Sequence, residues 1–341
     1  MSVRERKAAR EKQLQIANCK LQIADLARGV LAVDDPDFQF SIFNFQFAIC
    51  NVVSFPPFMH PLIFHNDRIV AAADSRITAT VAGLLYGWGV FTTLRIYNGK
   101  AFAFERHWRR LLLHAEKARV AVPLDLKQAR RALDKLIAAN SVEQGRARLT
   151  LLKGQAGPWQ IEPGRASEFL IFTASETRRV RADLALTLSP YRVLSTGLLA
   201  GVKQTALLEN LFALDEARSR EFNEAVLLNE RGEIVSATAA NIFWVQGDEV
   251  FTPSLSTGCV AGVTRHLVHE AAVRWKLHVV EGGFTVQRLL DAREVFLTST
   301  AREIAIVSSF DAKEYSGRQA RIAKLLSREF QKVIRDATMK S

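Results

Sequence analysis

The chain has few cysteines for its 341 residues: Cys19, Cys50 and Cys259 lie far apart and show no metal-ligand spacing. That usage belongs to a reducing compartment, so a cytoplasmic protein without a metal site is expected. It also lacks a dense basic run. The formal net charge of +11 is spread over pairs such as Arg109-Arg110, Arg130-Arg131 and Arg178-Arg179. No nucleic-acid arm is implied, and the excess can instead draw an anionic small molecule into a cleft. What is present is ordinary for a globular chain: 48% apolar and 24% charged residues support a sizeable core, and the length suggests about two domains.

A clean apolar span is lacking too. Residues 38–58, FQFSIFNFQFAICNVVSFPPF, carry no charge, but Gln39, Asn44, Gln46 and Asn51 interrupt them and Pro56-Pro57 closes them, so no membrane segment is expected. The stretch begins too late for a secretory signal peptide and has no small-residue cleavage site. Upstream, LQIANCK is followed at once by LQIADLA. DNA encoding LQIANC, read on its opposite strand, can encode runs like FAICN, so both halves read as arms of an inverted repeat swept into the frame. Residues 1–58 are therefore expected to lie outside the folded unit, with natural translation starting at Met59.

From Pro61 the patterning becomes regular. PLIFHNDRIV reads as a hairpin turning at Asn66-Asp67, and GVFTTLRIYNGKAFAF as a hairpin turning at Asn98-Gly99. HWRRLLLHAEKARV and LDLKQARRALDKLIAAN carry apolar residues at helical spacing, and ARLTLLKG and EFLIFTA read as strands. This makes an α+β domain over 59–177. Residues 178–192 lose the periodicity at their start and are expected to connect it to a larger domain over 193–335. There ENLFALDEARSREF, AGVTRHLVHEAAVRWK, VQRLLDA and a C-terminal stretch from Ser316 read as helices. EAVLLNERGEIVSATAANIFWVQGDEVFTP, LHVVEGGF and EVFLTST read as strands. Strands and helices come in blocks, which argues against a doubly wound sheet.

Lys203, in GVKQTALLEN, sits in an otherwise uncharged run from Val193 to Leu208. Weak solvation lowers a lysine pKa and makes the amine nucleophilic, although most such lysines reach water on their stems. GCVAGVTR sets glycines and Thr264 at a helix start, where free N–H groups favour an anion. TSTAREI, residues 298–304, offers three hydroxyls at a strand end, and Arg110 could add a bidentate contact. Each signal alone is common.

Their order around Lys203 resembles the fold-type IV, or class IV, pyridoxal-phosphate enzymes over roughly residues 60–315. The landmarks are YGWGVFTTLR at 86–95, His107 with Arg110-Leu111, Lys203, EAVLLNERGEIV, NIFWV, FTP, GCVAGVTR and EVFLTST. The resemblance implies two α+β domains with pyridoxal 5′-phosphate in the cleft between them, usually in a homodimer. It makes Lys203 the lysine that bonds the cofactor's aldehyde carbon and then shuttles the substrate's Cα proton. Arg110 matches the phosphate arginine. Gly262, Val263, Thr264 and Thr300 match positions around the phosphate, and Val260 matches the apolar residue against the ring.

Three positions depart from the family pattern. Ser299 stands where many members have glycine, and Leu208 near a tyrosine of the branched-chain enzymes. Ser236, five before Asn241, stands where most members have the glutamate that keeps the pyridine nitrogen protonated, and Glu233 would be out of register. A hydroxyl can hydrogen-bond that nitrogen but cannot neutralise a pyridinium, which weakens the electron sink that transamination relies on most.

FTT followed by Leu-Arg, with NIFWV and CVAGVTR, looks most like an aminodeoxychorismate lyase, which converts 4-amino-4-deoxychorismate to 4-aminobenzoate and pyruvate in folate synthesis. Arg95 is then a candidate partner for a substrate carboxylate, and Tyr86 a candidate wall of the cleft. An aminotransferase for branched-chain or D-amino acids is the alternative. A cofactor-binding protein with little turnover, suggested by Ser236, is another.

Overall fold

The computed structural model describes residues 59–154, 166–175, 184–317 and 320–339. The expectations for residues 1–58 fall outside these. Two sheets with separate cores organise the described chain.

The first sheet runs in the order β2-β1-β6-β5-β3-β4 and is antiparallel throughout. β1 (Leu62–His65) and β2 (Arg68–Ala71) form the expected first hairpin, with Asn66 at φ 59 in the turn. After a one-turn helix α1 (Ala82–Leu85), β3 (Gly89–Tyr97) and β4 (Lys100–Ala101) form the second around Asn98-Gly99, both left-handed. Helices α2 (Phe104–Lys117) and α3 (Leu126–Ala139) follow, and α3 starts on a capping box of Asp125 and Gln128. β5 (Gln144–Lys153) and β6 (Ser167–Ser175) complete the sheet.

Alternation along β3 decides what each face does. Val90, Leu94 and Ile96 point to the helices and join Phe104, Trp108, Leu111, Leu133 and Leu136 in one core. Each such side chain contributes roughly 1.5–3 kcal/mol by leaving water. Phe91, Thr93 and Arg95 face the other way, and their β5 partners on that face are Thr150, Arg148 and Arg146. The first sheet therefore presents its arginines on the face that the helices leave free.

The second sheet has the order β12-β11-β10-β13-β14-β7-β8-β9, with β15 added to β14. Its strands are β7 (Leu184–Val193), β8 (Glu224–Asn229), β9 (Ile234–Ala237), β10 (Asn241–Gln246), β11 (Glu249–Pro253), β12 (Val279–Gly282), β13 (Glu294–Ser299), β14 (Glu303–Phe310) and β15 (Lys313–Glu314). Helices α4 (Leu208–Ser219), α5 (Val263–Arg274), α6 (Gln287–Leu290) and α7 (Arg321–Met339) are interspersed. Helices α5 and α7 cover one face through Leu267, Val268, Leu326 and Phe330, and Trp244, Phe251 and Leu297 fill the other core.

Two sequence expectations are corrected. Residues 184–192, read as part of a connection, form most of β7, which lies between β14 and β8 and pairs parallel with both. Its alternating Leu184-Ala185-Leu186 is short and its neighbours come from distant segments, so the pattern alone could not mark it as an interior strand. β14, directly after TST, was also not foreseen; its turn needs Glu303 at φ 55, an unusual conformation for a non-glycine residue.

Candidate active site

Lys203 is held by main-chain pairing to the first sheet. β4 is too short to cover the beginning of β3, and residues 203–205 take that edge instead. The Phe91 N–H donates to the Lys203 carbonyl at 3.0 Å and the Thr205 N–H to the Gly89 carbonyl at 2.9 Å. On the other side the Lys203 N–H donates to His114 Nδ1 at 3.0 Å. Gly201 makes the approach possible: its φ is +73, and a Cβ there would lie 3.1 Å from the Cys259 carbonyl oxygen.

The lysine side chain extends into a cavity of about 300 Å³ lined by residues from both sheets. Its Nζ lies 4.3 Å from the centre of the Phe91 ring, and the Arg148 guanidinium carbon lies 3.6 Å from the same ring. Desolvation, then Arg110 and Arg148, push the Lys203 pKa down to about 7. An appreciable fraction of the amine is thus unprotonated at neutral pH, as a nucleophile requires.

The next group is built on one stripe of α2, where His107, Arg110 and His114 follow at helical spacing. Arg110 Nη2 donates to Thr92 Oγ1 at 2.8 Å, and its Nη1 lies 3.4 Å from the Ala261 carbonyl. Thr92 Oγ1 is also 2.9 Å from His107 Nδ1. Burial first, then the charges of Arg110 and Lys203, hold His107 well below the ordinary imidazole range, so it is neutral and can take the threonine proton. Burial pushes Arg110 down to about 10, which still leaves it charged at neutral pH.

Beside Arg110 the N-terminus of α5 opens onto the cavity. Gly262 is its N-cap and no side chain caps it, so the first-turn N–H groups of Val263 and Thr264 remain for a bound acceptor. A Cβ at Gly262 would sit 2.1 Å from Asn241 Oδ1. That asparagine is itself fixed by donation to the Val260 carbonyl at 2.9 Å. Thr298, Ser299 and Thr300 complete this end. Among the described residues, Thr298 Oγ1 and Arg110 Nε are buried polar atoms without a hydrogen-bond partner. Orphaned donors beside an uncapped helix end and an arginine suit a phosphate.

Of the residues expected from sequence, Lys203, Arg110, Ser236, Val260, Gly262, Val263, Thr264, Ser299 and Thr300 all line this cavity. Tyr86 and Arg95 do not. Tyr86 is exposed beyond α1. Arg95 reaches Glu303 at 3.7 Å, and Glu303 also accepts from the Tyr97 hydroxyl at 2.7 Å, so Arg95 joins β3 to β14. Glu233 also lines none of it: its carboxylate binds Arg231 at 2.6 Å and Asn229 at 2.8 Å.

Sequence reading missed Arg146, Thr93, Asn210 and Asn241 as lining residues, and His114 and Phe91 as supports of the lysine. A strand arginine such as Arg146 gives no signal until a partner sheet lies over its face. Among the described residues, the lining contains three cations, Lys203, Arg110 and Arg146, and no carboxylate. The nearby Glu224 is committed elsewhere: it is fully buried, binds the Thr238 hydroxyl and N–H, and pairs with Arg302 at 2.7 Å.

The family model for class IV aminotransferases matches residues 89–310. The chain is 28% identical over 255 residues to the D-alanine aminotransferase of Listeria innocua, covering 72% of this chain and 86% of that protein. It is 26% identical over 280 residues to the aminodeoxychorismate lyase of Bacillus subtilis, covering 81% and 95%. A branched-chain aminotransferase of Thermoproteus uzoniensis has the same fold, with a TM-score of 0.76 at 24% identity over 83% of this chain and 96% of that one. Solved proteins of this fold hold pyridoxamine 5′-phosphate or a phosphopyridoxyl amino acid. The seat found here fits that group, with Lys203 for its aldehyde and the Arg110 and α5 end for its phosphate. The protein belongs to the class IV aminotransferases and, like them, is a pyridoxal-phosphate-dependent enzyme.

Proposed function

We propose that this protein is a lyase that converts 4-amino-4-deoxychorismate to 4-aminobenzoate and pyruvate. The observation that carries the reading is the charge of the cavity, which has cations at Lys203, Arg110 and Arg146 and no lining carboxylate among the described residues. A substrate with two carboxylates is drawn into such a site.

Bound pyridoxal phosphate would supply an aldehyde to take up the substrate amine and a conjugated ring to spread the resulting electrons. The residues do the rest. Arg110, the α5 N-terminus, Thr264 and Thr300 would hold the phosphate, and Val260 would pack against the ring. Because it lines the cavity, Arg146 is assigned to a substrate carboxylate in preference to Arg95. The Lys203 amine, kept partly neutral by its surroundings, takes the proton from the amine-bearing carbon. With that proton removed, the neighbouring ring carbon–oxygen bond would break, the ring would become aromatic, and the departing enolpyruvate would take up one proton, which Lys203 can return, to become pyruvate.

An aminotransferase acting on D- or branched-chain amino acids is the second reading, supported by the D-alanine aminotransferase relative. Supplying the purified, cofactor-loaded protein with aminodeoxychorismate and measuring 4-aminobenzoate and pyruvate separates the two. Equal amounts of both products are expected. No product, together with amine transfer from D-alanine or leucine to a 2-oxo acid, overturns the lyase reading.

A homodimer is part of the proposal. Leu194, Leu198, Leu208, Leu211 and Phe212 are exposed around α4. That helix carries apolar residues on more than the face it buries, as expected for a surface covered by a second copy.

A further inference from the structure

We infer that Ser236 donates a hydrogen bond to the ring nitrogen of the bound cofactor and that this nitrogen is unprotonated in the resting protein. The inference rests on the assignment of the cavity to pyridoxal phosphate and deepens the proposed function, but it holds for either reaction.

Ser236 enters the cavity from β9, where its neighbours Val235 and Ala237 are buried. Across the strand pair it faces Leu227, so no acid lies opposite it. Position by position it stands where the family resemblance puts the ring-nitrogen partner. A hydroxyl there can donate to a nitrogen lone pair; to a pyridinium it could only offer its oxygen.

The surrounding charges favour the same state. A pyridinium would add a positive charge to a cavity that Arg146 lines with no carboxylate among the described residues, with Arg148 behind Phe91, while Arg110 would face the cofactor phosphate and Lys203 would be bonded to the aldehyde carbon. His107 and His114 on α2 are both held neutral, so neither offsets nor adds to that charge. Among the described residues, Glu224 is committed to Thr238 and Arg302, and Glu233 to Arg231 and Asn229. Like charges, and the lack of a lining carboxylate among the described residues, both lower the affinity of a basic nitrogen for a proton.

The consequence concerns reaction type. An unprotonated ring is a weaker acceptor of the electrons left by proton loss. Chemistry in which those electrons leave promptly with a departing group suffers less than chemistry that must store them and return the proton elsewhere. Ser236 on this view selects elimination over amine transfer.

The test is nitrogen-15 magnetic resonance of full-length protein loaded with ring-labelled pyridoxal phosphate, calibrated against free cofactor below and above its ring-nitrogen pKa. The wild-type resonance is expected at the unprotonated position and fixed there across the neutral pH range. A pyridinium position would overturn the inference. Ser236→Ala should shift the resonance toward that of an unprotonated nitrogen without a donor. No shift would remove Ser236 as the donor. Ser236→Glu, if it folds and loads, should move the resonance to the pyridinium position; staying unprotonated would overturn the placement. The readout needs no substrate, so it stands or falls separately from the formation of 4-aminobenzoate.

Discussion

The main-chain N–H of Lys203 donates a 3.0 Å hydrogen bond to Nδ1 of His114, a residue 89 positions away on α2. The acceptor must be unprotonated, and burial, followed by Arg110, Lys203 and Lys117, pushes the His114 pKa down to about 4. The helix that carries Arg110 thus also sets the height of the reactive lysine.

This bond makes the fold acid-sensitive. The folded state rejects a proton that the unfolded chain accepts below its ordinary histidine pKa of about 6.5. The stabilisation is therefore present above that value and is lost as pH falls toward about 4. Urea titrations over that range should show wild-type stability falling by about 2–3 kcal/mol more than His114→Gln, which removes the titrating group. Parallel pH profiles would refute the role of His114.

Lys203 has the same sign at higher pH. Its folded pKa of about 7 lies below the unfolded value of 10.5, so burying the cation costs most below pH 7 and nothing above the unfolded pKa. In the cofactor-free protein, Lys203→Met should raise stability at neutral pH by a few kcal/mol, and the gain should vanish as pH rises past about 10.5. The same variant should lose all borohydride-trapped pyridoxal phosphate. Cofactor trapped on a different lysine in the wild type, located by peptide mass spectrometry, would defeat the assignment.

Gly262 carries a steric prediction. Its added Cβ would meet Asn241 Oδ1 at 2.1 Å, and Asn241 is tied to Val260. Gly262→Ala should cost about 1–3 kcal/mol and loosen the phosphate end, weakening pyridoxal phosphate binding roughly tenfold or more. Gly262→Ala with Asn241→Ala should recover much of the stability, because the clash is removed. Thermal melts and fluorescence titration with the cofactor check both.

Arg95 separates stability from binding. Arg95→Leu breaks the contact with Glu303 and should lower stability by about 1–3 kcal/mol. Substrate KM should change less than two-fold, whereas Arg146→Leu should raise KM about tenfold or more. The reverse pattern would return Arg95 to the substrate role that its place in FTTLR suggests.

The hairpins at Asn66-Asp67 and Asn98-Gly99, the amphipathic α2 and α3, and the candidacy of Lys203 and Arg110 were legible in the sequence. Turn chemistry and helical spacing are local, and they survive whatever the chain packs against. The sequence also showed that a serine stands at position 236. What it left undetermined was set by partners far along the chain. β7 is an interior strand only because β8 and β14 pair with it, and Arg95 reaches Glu303 only because packing brings that distant residue to it. Arg146 reaches the cavity because it shares a sheet face with Thr93 and the second sheet closes over that face. Only the tertiary structure could show that, among the described residues, no lining carboxylate compensates for Ser236, because which charges share a cavity depends on long-range packing and not on spacing.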